Sequence, residues 1–422
     1  MSFRGQPFAF DSPAAAVRGV IQALDCGTRV RASECVPLRE ARGRFLAEAA
    51  RLDRDSPPFD TAVMDGYAVH CSDLRVAAAA LTLPVRGEAM IGQAPPALVR
   101  GSAVRIATGA AIPSGADAVL PRERVREIGD GGRVTAIEIP AHEGDALQPG
   151  QHVRRTGENG RAASIAIEPG CLLHASTLGT LSSLGVSNPR VRTRVRVAII
   201  TTGEEIVAPD ATPSTFEIRD SNGPAVEAAL GARAWIEVAW RRHARGDAAE
   251  LDALLRTAAR DCDALLITGG ISMGHRDPVR AAIERLGARA IFHGLPQRPG
   301  KPMLAAMASR GDGTPLALFG LPGNPLSALV TLERIAVPVL AALGGGRMPE
   351  PPGVHLANPD GASLGMWWHR LVHLDGHGQA RLVTVRSSGD VIGGGAGDGF
   401  VEIPPSTNPD SHGPFPFHAW PA

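Results

Sequence analysis

The stretch Val195-Arg196-Val197-Ala198-Ile199-Ile200-Thr201-Thr202-Gly203-Glu204-Glu205 decides the fold. A largely apolar run of strand length stops at two hydroxyls, a glycine that permits close backbone approach, and two carboxylates. Toward the C-terminus the texture alternates. Residues 225–230 begin a helical stretch, 235–240 read as a second strand, 248–259 as a helix, 264–267 as a strand and 278–286 as a helix, and another strand ends near Phe292. Leu316-Ala317-Leu318-Phe319 adds a strand, and 325–343 a long apolar helix. This alternation predicts an α/β domain over 191–345, doubly wound around a mostly parallel sheet with helices on both faces.

In an open parallel sheet, ligands lie beyond the carboxyl ends of the strands, where loops and helix N-termini present backbone N–H groups. The turns at those ends here are unusual. Thr202-Gly203-Glu204-Glu205 follows the first strand, and Thr268-Gly269-Gly270-Ile271-Ser272-Met273-Gly274 follows Ile267. Pro322-Gly323-Asn324-Pro325, with Ser327 just beyond, follows the strand ending at Phe319, and Arg298-Pro299-Gly300-Lys301-Pro302 follows Phe292. Of the 43 basic side chains Lys301 is the only lysine. A compact, rotatable ammonium suits an oxyanion or phosphate, whereas arginine offers a planar fork. Together the turns describe a cradle for a phosphorylated ligand, with Glu205, Asp220 and Asp277 available to a divalent metal. Asp220-Ser221-Asn222 ahead of Pro224 also reads as a helix cap.

Basic and acidic side chains balance at 43 each, so no global field draws the chain to nucleic acid or to an acidic membrane face. The five cysteines are scattered without a C-x-x-C pair, which argues against a disulfide framework or a zinc knuckle and for a reduced, cytoplasmic setting. The N-terminus lacks the basic-then-apolar pattern of an export signal, and no run of 18 uninterrupted apolar residues occurs.

The remainder reads as further domains. Asp11-Ser12-Pro13 opens a capped amphipathic helix, a packing or dimerising element. Residues 46–145 hold short β-like runs, an inserted small β domain, while 1–45 and 146–190 form a helical and extended N-terminal domain. Gly344-Gly345-Gly346 and the prolines near 350 read as a linker to a C-terminal β-barrel-like domain over 346–422.

Several motifs then occur in one order: Pro57-Pro58-Phe59-Asp60, Met64-Asp65-Gly66-Tyr67-Ala68, Arg105-Ile106-Ala107-Thr108-Gly109-Ala110, and Ile112-Pro113 with Gly115-Ala116-Asp117-Ala118-Val119. The strand-end turns above complete the series. With them the chain resembles the molybdopterin molybdenumtransferases, the MoeA and gephyrin E-domain family, along nearly its whole length. The resemblance implies a molybdopterin-binding α/β domain in an elongated homodimer. It implies insertion of molybdate into the dithiolene of adenylylated molybdopterin, with Mg²⁺-assisted release of AMP. It further implies that Asp65 and Thr108 reach across the dimer and that Glu205 and Asp277 handle metal or nucleotide. Arg298, Lys301 and Pro302 match the family's molybdate-side turn, and Arg370 and Ser388 match more loosely in the last domain. The implied partners are a molybdopterin-adenylylating protein and molybdoenzyme-maturation proteins.

The sequence departs from the family pattern at Arg298 and Gly294, where lysines are usual, at Gly246, where an acidic residue is usual, and at Asn159, where aspartate is usual. Two functional classes therefore stay open: the metal-inserting transferase, and a non-catalytic molybdopterin-binding carrier or scaffold. A sugar- or nucleotide-phosphate enzyme on a similar sheet gives no reason for the Met64–Ala68 motif.

Overall fold

A computed structural model describes residues 8–27, 30–75, 80–130, 133–271 and 278–421. The chain divides into two compact units, one built from 1–48 with 169–422 and the other from 49–168.

The larger unit is organised by a six-stranded sheet in the order Ile236–Ala244, Val195–Thr202, Ala264–Thr268, Pro315–Leu321, Leu304–Ser309, Arg289–His293. The first four strands run parallel; Leu304–Ser309 is antiparallel to both its neighbours. That strand is absent from the sequence reading. The side-chain alternation of the central strand sends Val195, Val197 and Ile199 into one core and Ala198 and Ile200 into the other. Helix Asn222–Gly231 and the helical run 325–343 cover the first face, and Ala248–Asp261 and Pro278–Arg285 the second. The doubly wound sheet expected from the sequence is present, buried on both sides.

The N-terminal helix, Pro13–Ala23, is capped by the Ser12 hydroxyl as expected, and Ala16, Val17, Val20 and Leu24 bury in the α/β core, which is the packing role offered by the sequence. The apolar run 325–343 is long enough to cross a membrane but is 72% buried within the protein, with a π-helical segment, Leu332–Ala336, in its middle.

The C-terminal module pairs Gly353–Val354, Phe415–Ala419, Gly399–Ile403, Trp367–Leu374 and Ala380–Leu382 in succession. A bridge from Ala380 back to Leu356 closes this path into a small barrel. One short strand from the α/β domain, Gln297–Arg298, joins it beside Trp367–Trp368.

The unit 49–168 carries its own six-stranded sheet, ordered Ala118–Pro121, Gly66–Val69, Ala103–Ile106, Leu81–Ala89, Arg133–Ile139, Arg126–Asp130. Residues 146–168, placed with the N-terminal segment by the sequence reading, pack here: Val153 pairs with Ala62, and Ile167 with Ala50.

Candidate functional site

The carboxyl edge of the large sheet opens into a cleft of about 1940 Å³ whose other wall is the C-terminal module. Its floor is made by the strand-end turns. Gly269 and Gly270 adopt φ values of 84° and 61°, and a Cβ on Gly269 would stand 2.5 Å from the Thr202 carbonyl oxygen. Only glycine allows the turn to fold under Thr202. The Thr202 hydroxyl donates to the Thr268 carbonyl at 3.3 Å, and Asn222 Nδ2 donates to the Gly323 carbonyl at 2.7 Å. The first bond ties the Thr202 turn to the Thr268 strand end, and the second ties the start of helix Asn222–Gly231 to the Pro322–Pro325 turn.

Asn324 stands at the N-cap position of Pro325–Thr331, but its side chain does not cap. Its Nδ2 donates to Ser388 Oγ at 2.9 Å, while the Leu326 N–H donates to the Ser388 carbonyl at 3.1 Å. Ser327 is buried just behind, and Pro302 and Pro322 line the same cleft.

The cationic turn is built as a rigid projection. Gln297, 1% exposed, donates from Nε2 to the Gly300 carbonyl at 3.1 Å. Gly300 has φ 92°, and a Cβ there would meet Thr331 Cγ2 at 2.3 Å. The turn delivers Arg298 and Lys301 to the cleft as exposed side chains. Among the described residues neither has a carboxylate partner; the Phe8 ring, 5.7 Å from Lys301 Nζ, is the neighbour of the ammonium.

Register extends this positive wall. Arg298 is the parallel partner of Trp368, and Arg370 follows Trp368 on the same strand face. The Arg370 guanidinium lies 4.2 Å from the Trp368 ring centre and donates from Nη1 and Nη2 to the two oxygens of Asp360 at 2.7 and 2.6 Å. The guanidinium holds the Asp360 carboxyl below its ordinary range. Gln297 and Asp360 were not singled out from the sequence, and Trp368 reads there as packing of the last module and not as part of the site. Trp368 had a signal, the period-two spacing to Arg370; Asp360, on an irregular loop, had none.

The carboxylates separate. Glu205 is exposed at the cleft edge, and its carboxylate carries no partner among the described residues. Asp220, expected as a metal ligand, is 8% exposed and engaged on both oxygens: Oδ1 accepts the Gly223 N–H at 2.8 Å, and Oδ2 faces the Thr201 hydroxyl at 3.3 Å and Arg241 at 3.4 Å. It closes the helix start and neutralises Arg241, the cap alternative noted from the sequence. Ser272 and Asp277 lie outside the described residues. Among those described, no group of three or more His, Cys, Asp or Glu side chains converges.

In the unit 49–168, Asp65 and Thr108 meet. Asp65 Oδ1 accepts both the backbone N–H and the hydroxyl of Thr108 at 2.7 Å. These two bonds hold the Asp65 carboxyl below its ordinary value, with Arg122 and Arg105 reinforcing them.

Comparison with known proteins agrees with this geometry. Residues 13–185 match the MoeA N-terminal region (domain I and II), and 198–342 match a probable molybdopterin binding domain. A molybdopterin molybdenumtransferase of Haemophilus influenzae is 33% identical over 76% of this chain and 75% of its own length. The chain belongs to the molybdopterin molybdenumtransferase family. A family member from Synechocystis is 29% identical over 90% of this chain and 93% of its own. A solved MoeA structure from Pyrococcus horikoshii superposes with a TM-score of 0.74 at 25% identity, covering 97% of this chain and 99% of that one.

Within this family frame, the departures noted above have local explanations in two cases. Gly246 has φ 95°, with Glu204 Oε1 3.2 Å from where its Cβ would be. Gly294 is buried with φ 94°, its N–H donating to the Met303 carbonyl at 2.7 Å. Both positions use backbone conformations that favour glycine. Asn159 is held by its own backbone, donating to the Ser56 carbonyl at 2.8 Å.

Proposed function

We propose that this chain inserts molybdate into the dithiolene of adenylylated molybdopterin and releases AMP, a step of molybdenum cofactor biosynthesis. The observation that carries this reading is the pair of cations, Arg298 and Lys301, without a carboxylate partner among the described residues and set on a rigid turn at the glycine-lined carboxyl edge of the sheet. Molybdate is a tetrahedral dianion, and its desolvation is offset only by charge-assisted hydrogen bonds. Backbone N–H groups of the turns at Gly203, Gly270 and Gly323 suit the pterin-side phosphate and nucleotide, while that of Gly269 donates to the Leu321 carbonyl. Ionised Asp65, with its two bonds from Thr108, is an acceptor rather than an acid.

Mg²⁺ fits the carboxylate set in one way. A hard cation that keeps several waters and shares substrate phosphates needs only one or two protein carboxylates. The Glu205 carboxylate has no partner among the described residues and can serve, whereas Asp220 is engaged; Asp277 is proposed as the second ligand. When bound, the ion would neutralise phosphate oxygens of the adenylate.

We further infer a homodimer in which Asp65 and Thr108 of one copy serve the cleft of the other. The setting is cytoplasmic, with a molybdopterin-adenylylating protein supplying substrate and maturation proteins taking the product. The direct test is molybdate-dependent release of AMP from adenylylated molybdopterin by the purified chain in Mg²⁺. Release supports the reading; retention of the ligand without AMP would leave the carrier role. Complementation in mixed dimers of an Asp65→Ala copy with a Lys301→Ala copy tests the shared site.

A further inference from the structure

Arg370 differs from the other cations of the cleft wall. Arg298 and Lys301 have no carboxylate partner among the described residues, while Arg370 has both Nη atoms engaged by the two Asp360 oxygens and one face against Trp368. Its side chain is 17% exposed, and that of Asp360 45%. A bidentate carboxylate pair fixes the plane of a guanidinium as well as its position. The pair is locked from a second direction, because Asp360 Oδ1 also accepts the Ala362 N–H at 3.3 Å.

We propose that Asp360 is a positioning residue that sets the oxyanion selectivity of this cleft. Resting on the function proposed above, the inference assigns Arg370 a fixed stand-off: it offers only the N–H groups that Asp360 leaves free, along one edge, and cannot advance into the cleft. Arg298 sits on the neighbouring strand, about 5 Å away at the backbone from Trp368, and lines the same cleft as Arg370. A seat with a fixed wall accommodates the large molybdate tetrahedron and leaves a smaller one, sulfate or phosphate, with donors it cannot reach together. Unreached donors and an under-paired anion are what convert a size difference into a free-energy difference.

The test uses the full-length protein and direct binding of molybdate and of sulfate, each alone and in competition, by equilibrium dialysis. In Asp360→Asn, which keeps the shape but removes the charge pair, the ratio of sulfate to molybdate dissociation constants should fall about tenfold. Asp360→Glu, which restores a carboxylate, should recover most of that discrimination. A role confined to stabilising the loop would weaken both anions together and leave the ratio unchanged, and that result would overturn the proposal. So would a lost ratio that the glutamate fails to restore. Wild-type protein that retains no molybdate would instead count against the functional reading itself.

Discussion

Asn324 reaches out of the α/β domain to Ser388 of the C-terminal module, its amide donating to the serine hydroxyl at 2.9 Å beside the backbone bond from Leu326. The Pro322-Gly323-Asn324-Pro325 turn is therefore both floor of the cleft and its link to the opposite wall. Ser388→Ala removes one hydrogen bond at a half-open site, so global stability should drop by only about 0.5–1.5 kcal/mol. Ligand binding should suffer more, because the two walls lose their registration. We expect the molybdate dissociation constant of Ser388→Ala to rise several-fold, and Asn324→Ala to add little on top of it. Additive losses in the double variant would show that the pair does not act as one contact.

Lys301 is the sharpest probe of the oxyanion seat. It is exposed, its neighbour is the Phe8 ring, and removing it leaves no buried charge uncompensated. Lys301→Ala should keep its stability within about 0.5 kcal/mol, as exposed substitutions do. Molybdate retention should fall by about tenfold or more, the scale of one charge-assisted hydrogen bond. Unchanged retention in a folded variant would remove Lys301 from the site.

Gly300 shows how the same turn is shaped. Its φ of 92° strains any side chain, and an added Cβ would stand 2.3 Å from Thr331 Cγ2 on the buried helix behind it. Gly300→Ala should destabilise the protein by about 1–3 kcal/mol in urea denaturation. Molybdate affinity should fall with it, since Arg298 and Lys301 flank the displaced residue. A variant of wild-type stability would mean that the turn relaxes freely.

Much of this was legible in the amino-acid pattern, for definite reasons. The central strand, the Thr268-Gly269-Gly270 turn and the Pro322–Pro325 turn follow from apolar runs broken by glycine and proline, which act locally. Asp65 and Thr108 came from motif resemblance, and the fold joins them at hydrogen-bond distance. Leu304–Ser309 was missed because its alanine-rich run carries weak strand preference and is held by neighbours on both sides. Asp220 could be ligand or cap on paper; only the placement of Gly223 and Arg241 gives it the second duty. Asp360 was invisible because its meaning comes from Arg370, on a different element.

Acid should expose the buried contact between the long helix and the C-terminal barrel. Burial alone would raise the Glu402 carboxyl, but hydrogen bonds from His369 and Arg334, at 3.1 and 2.5 Å, bring it down to about 2. A carboxyl depressed in the folded state stabilises fully above its unfolded value, and that contribution disappears as pH falls from about 4.5 to about 2. His418, stacked on Phe400 nearby, is pushed down to about 4, chiefly by burial. Its unfolded form takes up a proton first, so stability also declines between about pH 6.5 and 4. Both groups act in the same direction. Chemical denaturation across this range should show stability decreasing steadily toward acid, and His418→Phe should flatten the upper part while leaving the steep loss at lower pH. A stability profile independent of pH between 7 and 4 would contradict the assignment of a buried, neutral His418.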